Sequence, residues 1–236
     1  MAFDLTLDKM WYLSKIGFFE FLPVDEVRKI GSMIAHSDIS KNTIIQTPES
    51  VEKKLFFVKT GAVRIYDMKE DGSIFTLSLL GPYSTYGSVS FFSLGTEQVF
   101  VETLSDVHLC SISEEDFNIL IQTYPELLAK AMQLLSDRLK NREKMLAIIA
   151  TGNVKEQLKH LLFSMADTYG KEDSTFVTIP IPLSHQELAN MLGVTRESVS
   201  TNMLQLKKEG FIHSRGRKTI DVNQKFLKLI GNYTDS

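Results

Sequence analysis

Residues 193 to 204 read GVTRESVSTNML. Four of them, Arg196, Glu197, Ser200 and Thr201, carry side chains that can hydrogen-bond base edges if the helix they sit on enters a major groove. At about 100° per residue, Val199, Met203 and Leu206 form an inward stripe; Glu197, Thr201, Leu204 and Lys208 then point nearly opposite, with Arg196 and Ser200 on one flank. Thr195 is placed to cap this helix. Gly193, just before it, supplies a left-handed turn that other residues adopt at a cost of ~1 kcal/mol or more.

A preceding helix must hold that face in position. Ser184 and Glu187 have the spacing of a capping box, Leu188 and Leu192 give its inner face, and Ala189 is small where the two helices cross. The run FIHSRGRKTIDV follows, alternating around Arg-Gly as a β-hairpin would. The pattern predicts a winged helix-turn-helix. Arg196, Glu197, Ser200 and Thr201 are assigned to bases; Ser184, Thr195, Lys207, Lys208, Arg215, Arg217 and Lys218 are assigned to the DNA backbone. The opposing reading, a helical hairpin with solvated charges, does not require Ala189, Gly193 and Val199 at these offsets or a basic hairpin next to them.

Charge agrees with this assignment. The chain of 236 residues has net charge −3, but residues 1–150 carry 15 Lys and Arg against 20 Asp and Glu, whereas 151–236 carry 11 against 9. Only the C-terminal part leans toward a polyanion. The uncharged stretch 72–96 is broken by Pro82, glycines and many Ser and Thr, so no membrane span is predicted. No secretory signal is evident, and a cytoplasmic location is expected.

The remainder of the chain reads as an α+β body. Between Gly17 and Ile34 the pattern gives one or two short helices. From Ile39 to Ile112 it changes to short alternating runs with turns at Gly61, Glu70–Gly72 and Gly81–Pro82, the texture of an antiparallel roll. Ser113 caps a helix. A longer helix runs from Pro125 to about Ile149, with Leu128, Leu135, Leu139, Leu146 and Ile149 on one stripe and Arg142 at its edge. This narrow seam either packs on its own roll or meets a second copy in a homodimer, and we expect the dimer because so long a helix would overhang the roll. The expected domains are 1–124 for the roll with its flanking helices, 125–150 for the dimerisation helix and 151–236 for the winged helix-turn-helix, with Ala150–Asn153 as the hinge.

The order of roll, long helix and winged helix-turn-helix, carried by KTGAVRIYDMKEDGSIFTLSLLGPYSTYGSVSFF and SHQELANMLGVTRESVSTNMLQLKKEGFI, resembles the Crp/Fnr family of bacterial transcription regulators. The resemblance implies a homodimer on palindromic double-stranded DNA, and a contact with RNA polymerase if the protein is an activator. It implies that Glu197 accepts a hydrogen bond from a cytosine, that Arg196 reads guanine or anchors a phosphate, and that Ser200 follows the Fnr branch. Thr201 stands where many members have a second arginine directed at guanine.

The roll departs from the cyclic-nucleotide pattern of that family. Ser88 occupies the place of the ribose-binding glutamate, and Glu97 and Gln98 the place of the phosphate-binding Arg-Ser pair, where an acid would repel phosphate. Cyclic AMP is therefore not expected as effector. Tyr83, Tyr86, Ser88, Phe91, Glu97 and Gln98 would line an effector pocket, against the reading that the aromatic stripe is simply roll core. A single cysteine, Cys110, excludes an iron–sulfur cluster held by one chain and reads as a buried structural thiol. Five scattered histidines with no H-x-H give no metal site and no cofactor, which also argues against a cupin-type enzyme. A cyclic-nucleotide-binding-like regulatory module without DNA binding remains the other alternative; salt-dependent duplex affinity separates it from a regulator.

Overall fold

The computed structural model describes residues 12, 16, 18–89, 91–173, 175–215 and 219–227. After turns at 18–22 comes α1 (Val24–Gly31), and then nine strands: β1 (Ala35–Ile39), β2 (Ile44–Gln46), β3 (Lys54–Thr60), β4 (Val63–Met68), β5 (Ile74–Leu80), β6 (Thr85–Val89), β7 (Phe92–Ser93), β8 (Phe100–Thr103) and β9 (Val107–Ser113). They form a five-stranded sheet ordered β1-β9-β3-β6-β7 and a four-stranded one ordered β2-β8-β4-β5. Every pairing described is antiparallel.

The period-2 pattern of β3 explains how the roll makes two cores. Phe56 and Val58 join Val63, Ile65, Tyr86, Val101 and Leu109 in one cluster, while Leu55 and Phe57 point the other way. That second cluster takes Val27 and Ile30 of α1, Cys110 and Ile112 of β9, Phe117 and Leu120 of α2 (Glu114–Thr123), and Leu127 and Ala131 of α3 (Glu126–Thr151). Gly61 turns β3 into β4 with φ +83°, and a Cβ there would lie 2.2 Å from the Asp106 carbonyl oxygen. Gly72 makes the β4–β5 turn at φ +80°. Ser113 caps α2 by accepting from the Asp116 amide at 3.1 Å, a contact of ~1 kcal/mol.

Two compact units are present: Met1–Ile65 with Leu79–Leu139, and Tyr66–Ser78 with Lys140–Ser236. In the second, Asn153 caps α4 (Val154–Tyr169) by accepting from the Glu156 amide at 3.1 Å. Gln157 donates to the carbonyls of Ile149 and Gly152 at 3.2 and 3.1 Å, satisfying groups that the end of α3 leaves open. Then come β10 (Lys171–Glu172), β11 (Phe176–Ile179), α5 (His185–Leu192), α6 (Arg196–Lys208), β12 (Ile212–Arg215) and β13 (Thr219–Asn223), with sheet order β10-β11-β13-β12. Leu158, Leu162, Ile179, Leu188, Val199, Leu206, Phe211 and Val222 are fully buried and make the core of this unit.

Candidate nucleic-acid interface

The two-helix element is built as its residues require. Ser184 caps α5, accepting from the Glu187 amide at 3.1 Å, while the Glu187 carboxylate receives the Thr76 hydroxyl at 3.3 Å. Gly193 ends α5 in the left-handed region at φ 65°, ψ 31°, and the Val194 amide donates back to the Ala189 carbonyl at 3.2 Å. Thr195 caps α6 by accepting from the Ser198 amide at 3.2 Å. Ala189 is buried, as the close approach of α5 and α6 demands.

Val199, Met203 and Leu206 are buried along one side of α6. Arg196, Glu197, Thr201 and Leu204 are exposed on the rest, and Lys207 and Lys208 are exposed in the last turn. The Thr201 hydroxyl donates to the Glu197 carbonyl at 3.0 Å, so outward it presents a methyl group and oxygen lone pairs. Ser200 differs from its expected place. It is only partly exposed, donates to the Arg196 carbonyl at 2.9 Å, and lies 2.8 Å from Nδ1 of His185. Its hydroxyl thus fastens α6 to the first turn of α5. His185 has no assigned role in the sequence reading, because nothing in its local spacing marks a partner fifteen residues away. Burial first, and then the charge of Arg196, hold its imidazole below the ordinary histidine value.

The β12–β13 hairpin stands next to this element, with Ile212 opposite Val222, His213 opposite Asp221 and Arg215 opposite Thr219. Buried Asp221 accepts from the Thr178 hydroxyl at 2.7 Å, joining the hairpin to β11. Arg217 and Lys218, two of the expected phosphate ligands, lie outside the described residues. Lys155 of α4 reaches Glu209, just past the end of α6, at 2.9 Å. That ion pair, led by the hydrogen bond, holds the Glu209 carboxyl below its usual range.

A strand-bearing N-terminal unit followed by a helix-turn-helix and hairpin is what the comparisons with known proteins return. Residues 38–124 match the cyclic nucleotide-binding domain family, and residues 156–225 match the Crp-like helix-turn-helix domain family. The chain belongs to the Crp/Fnr family of DNA-binding transcription regulators. It is 25% identical to the "Probable transcriptional regulator flp" of Lacticaseibacillus casei over 203 residues, 84% of this chain and 89% of that one. It is 26% identical to the "cAMP-activated global transcriptional regulator CRP" of Pasteurella multocida, covering 78% and 88%. The fold matches that of FixK2 from Bradyrhizobium japonicum with TM-score 0.70 at 19% identity, covering 83% and 96%. It also matches a CooA variant from Carboxydothermus hydrogenoformans with TM-score 0.67 at 22% identity, covering 86% and 88%.

The roll gives the expected effector residues different surroundings. Tyr86 is buried against Phe56, ring centroids 4.9 Å apart, inside a core cluster. Tyr83 stacks on Tyr12 at 5.6 Å, and Phe91 on Phe117 at 6.2 Å. Ser88 is buried, whereas Glu97 and Gln98 are exposed. A small crevice lined by Ile45, Gln46, Ser50, Glu52, Phe56 and Tyr86 includes one of the six. Nearby polar groups satisfy one another: Gln46 donates to the carbonyls of Thr96 and Val99 at 2.6 and 3.1 Å, and the Gly87 amide donates to the Thr96 hydroxyl at 2.9 Å.

Helix α3 has two apolar faces. Leu127 and Ala131 are buried in the roll core, with Leu134 packed against it. Leu128, Leu135, Leu139, Leu146 and Ile149 are exposed, as is Met132 at 72%. Met132 is absent from the stripe read off the sequence, yet it completes the spacing 128, 132, 135, 139, 142, 146, 149, alternately four and three residues. Arg142, also exposed, therefore lies within this heptad seam. Among the described residues no helix is long and apolar enough to cross a membrane.

Proposed function

We propose that this regulator works in the cytoplasm as a homodimer joined along α3, placing one α6 in each of two successive major grooves of a palindromic site. The half-site centres then lie one helical turn, about 34 Å, apart. The exposed face of α6, with Arg196 and Glu197 in its first turn over a fully buried inner stripe, carries this reading. Glu197 accepts from a cytosine N4 amine, Arg196 reads the neighbouring guanine or holds a phosphate, and Ser200 sets the angle of α6 through His185. Thr195, Lys207, Lys208 and the wing residues Arg215, Arg217 and Lys218 take the phosphates, Ser184 standing at the other helix N-terminus. Leu128, Met132, Leu135, Leu139, Leu146 and Ile149 form the dimer seam around Arg142.

Cyclic AMP is not the effector. Ser88 gives no carboxylate for a ribose hydroxyl, and Glu97 and Gln98 give no guanidinium for a cyclic phosphate; the Gly87 amide is already taken up by Thr96. The chain acts as a regulator rather than an enzyme, with RNA polymerase as its further partner when it activates. Selection of binding sites from random duplexes tests the reading. The wild type is expected to recover an inverted repeat with a C·G pair in each half, its affinity falling steeply with salt. Recovery of no preferred sequence, or of a single unrepeated half-site, speaks against it.

A further inference from the structure

The register of β1 on β9 places four side chains in a square on one face of the first unit. His36 lies directly opposite Cys110, and Asp38 directly opposite His108. Residues two apart on a strand share a face, so His36 and Asp38 on one strand meet His108 and Cys110 on the other. His36 Nδ1 is 3.3 Å from His108 Nε2 and 3.3 Å from Cys110 Sγ. The three ligand atoms all lie within 4.8 Å of one another. His108 Nδ1 is held by the Asp38 carboxylate at 2.6 Å.

This arrangement has the chemistry of a metal site. The bond from Nδ1 of His108 to Asp38 fixes the ring so that Nε2 presents its lone pair to the cluster, the role a carboxylate plays behind a metal-bound imidazole. His36 Nδ1 faces two partners at one distance, although a ring nitrogen has a single proton or a single lone pair to offer. An ion placed between the three satisfies all of them together. Bond lengths of about 2.0–2.1 Å to nitrogen and about 2.3 Å to sulfur at a tetrahedral centre give edges of about 3.3–3.6 Å, matching the two contacts of His36 Nδ1. Cys110 is buried on the apolar side, while both histidines are partly exposed, leaving an approach from solvent.

We infer that His36, His108 and Cys110 bind a late first-row divalent transition ion, of which Zn²⁺ is the representative, with Asp38 orienting His108 and a fourth position left to water or another ligand. Two imidazoles and one thiolate suit this part of the series and exclude Mg²⁺ and Ca²⁺, which take oxygen ligands. Binding removes the thiol proton from Cys110 to solvent, one proton for each ion bound, while both imidazoles bind as neutral rings. The ion ties edge strand β1 to β9.

Titration of the full-length, metal-free protein with Co²⁺ tests this. One equivalent per chain is expected, with visible bands of a four-coordinate ion, a near-ultraviolet sulfur-to-cobalt charge-transfer band, release of one proton per ion, and displacement by Zn²⁺. Cys110→Ser should lose the charge-transfer band and the proton release. His36→Gln, on a partly exposed edge position where folding is not at stake, should lose stoichiometric binding. Asp38→Asn should weaken affinity about 10–100-fold. Hydrogen exchange of β1 amides should slow when Zn²⁺ is added to the wild type only. Failure of the folded wild type to bind Co²⁺, or binding that survives His36→Gln and Cys110→Ser unchanged, overturns the assignment.

Discussion

His185 Nδ1 and Ser200 Oγ lie 2.8 Å apart, and the same hydroxyl donates to the Arg196 carbonyl. One short chain of contacts thus runs from the first turn of α5 to the first turn of α6, where the side chains proposed to read bases start. The imidazole is drawn below its ordinary value of 6.5 by burial and then by Arg196. The native state therefore binds a proton less readily than the unfolded chain. Below about pH 6.5 the unfolded chain holds more protons, so the contribution of this group to stability is full above that point and declines as pH falls. Hydrogen exchange of α5 and α6 amides between about pH 8 and about pH 5 should show protection falling on the acid side. In His185→Gln this component of the fall should vanish. An identical pH profile in the variant removes His185 as its source.

Two glycines separate backbone strain from steric collision. A Cβ on Gly193 would meet nothing nearer than the Phe75 ring at 4.0 Å, so Gly193→Ala strains only a left-handed backbone at φ +65°. The expected cost is ~1 kcal/mol. A Cβ on Gly61 would lie 2.2 Å from the Asp106 carbonyl, so Gly61→Ala adds displacement of the β3–β4 turn to a similar backbone strain. Denaturant unfolding of the two variants should place Gly61→Ala clearly below Gly193→Ala. Equal losses would mean that the turn relaxes freely.

The apolar seam of α3 gives a test of assembly. Leu139 is 59% exposed, so Leu139→Glu puts a charge in the proposed dimer seam without disturbing the packing of one chain. Sedimentation should show monomer with an unchanged far-ultraviolet spectrum. Duplex affinity should fall by roughly 10²–10⁴-fold as bivalent engagement is lost. Lys140→Glu, one residue off the seam, should remain dimeric. A Leu139→Glu protein that stays dimeric moves the interface elsewhere.

The sequence was informative where structure is set by local spacing and less so where register decides. Ser184, Gly193, Thr195 and the stripe Val199, Met203, Leu206 fall within one short segment, so caps, turn and inner face could be placed from spacing alone. The alternation of β3 likewise separates two cores. Strand β1 was not legible, because AHSDI is an edge strand without a buried apolar face. Its pairing with β9 depends on residues about seventy positions away. The approach of His36 to His108 and Cys110 follows from that pairing, and a search for H-x-H along the chain cannot find it. Met132 escaped because its place in the seam shows only once Leu127 and Ala131 are seen to face the roll. The aromatic residues of the roll were legible as apolar but not as separate, since only the turns decide which sheet face each joins.

Specificity in α6 can be tested by adding a contact as well as by removing one. Thr201 is exposed, and its hydroxyl is returned to the Glu197 carbonyl at 3.0 Å, leaving a methyl and an acceptor oxygen for the proposed groove contact. A methyl favours thymine, and an acceptor alone does not select guanine, whose major-groove edge is also made of acceptors. The wild type is therefore expected to tolerate or prefer A·T beside the C·G pair read by Glu197. Thr201→Arg puts a forked donor on the same face and should move that position toward G·C, with ~1–3 kcal/mol of new discrimination. Glu197→Ala should lose about the same amount at the C·G position alone. Lys208→Ala should lower affinity for all sequences and reduce the salt slope by about one. Parallel site selections on the three variants distinguish these outcomes. If Thr201→Arg selects the same sites as the wild type, α6 does not present this face to the bases.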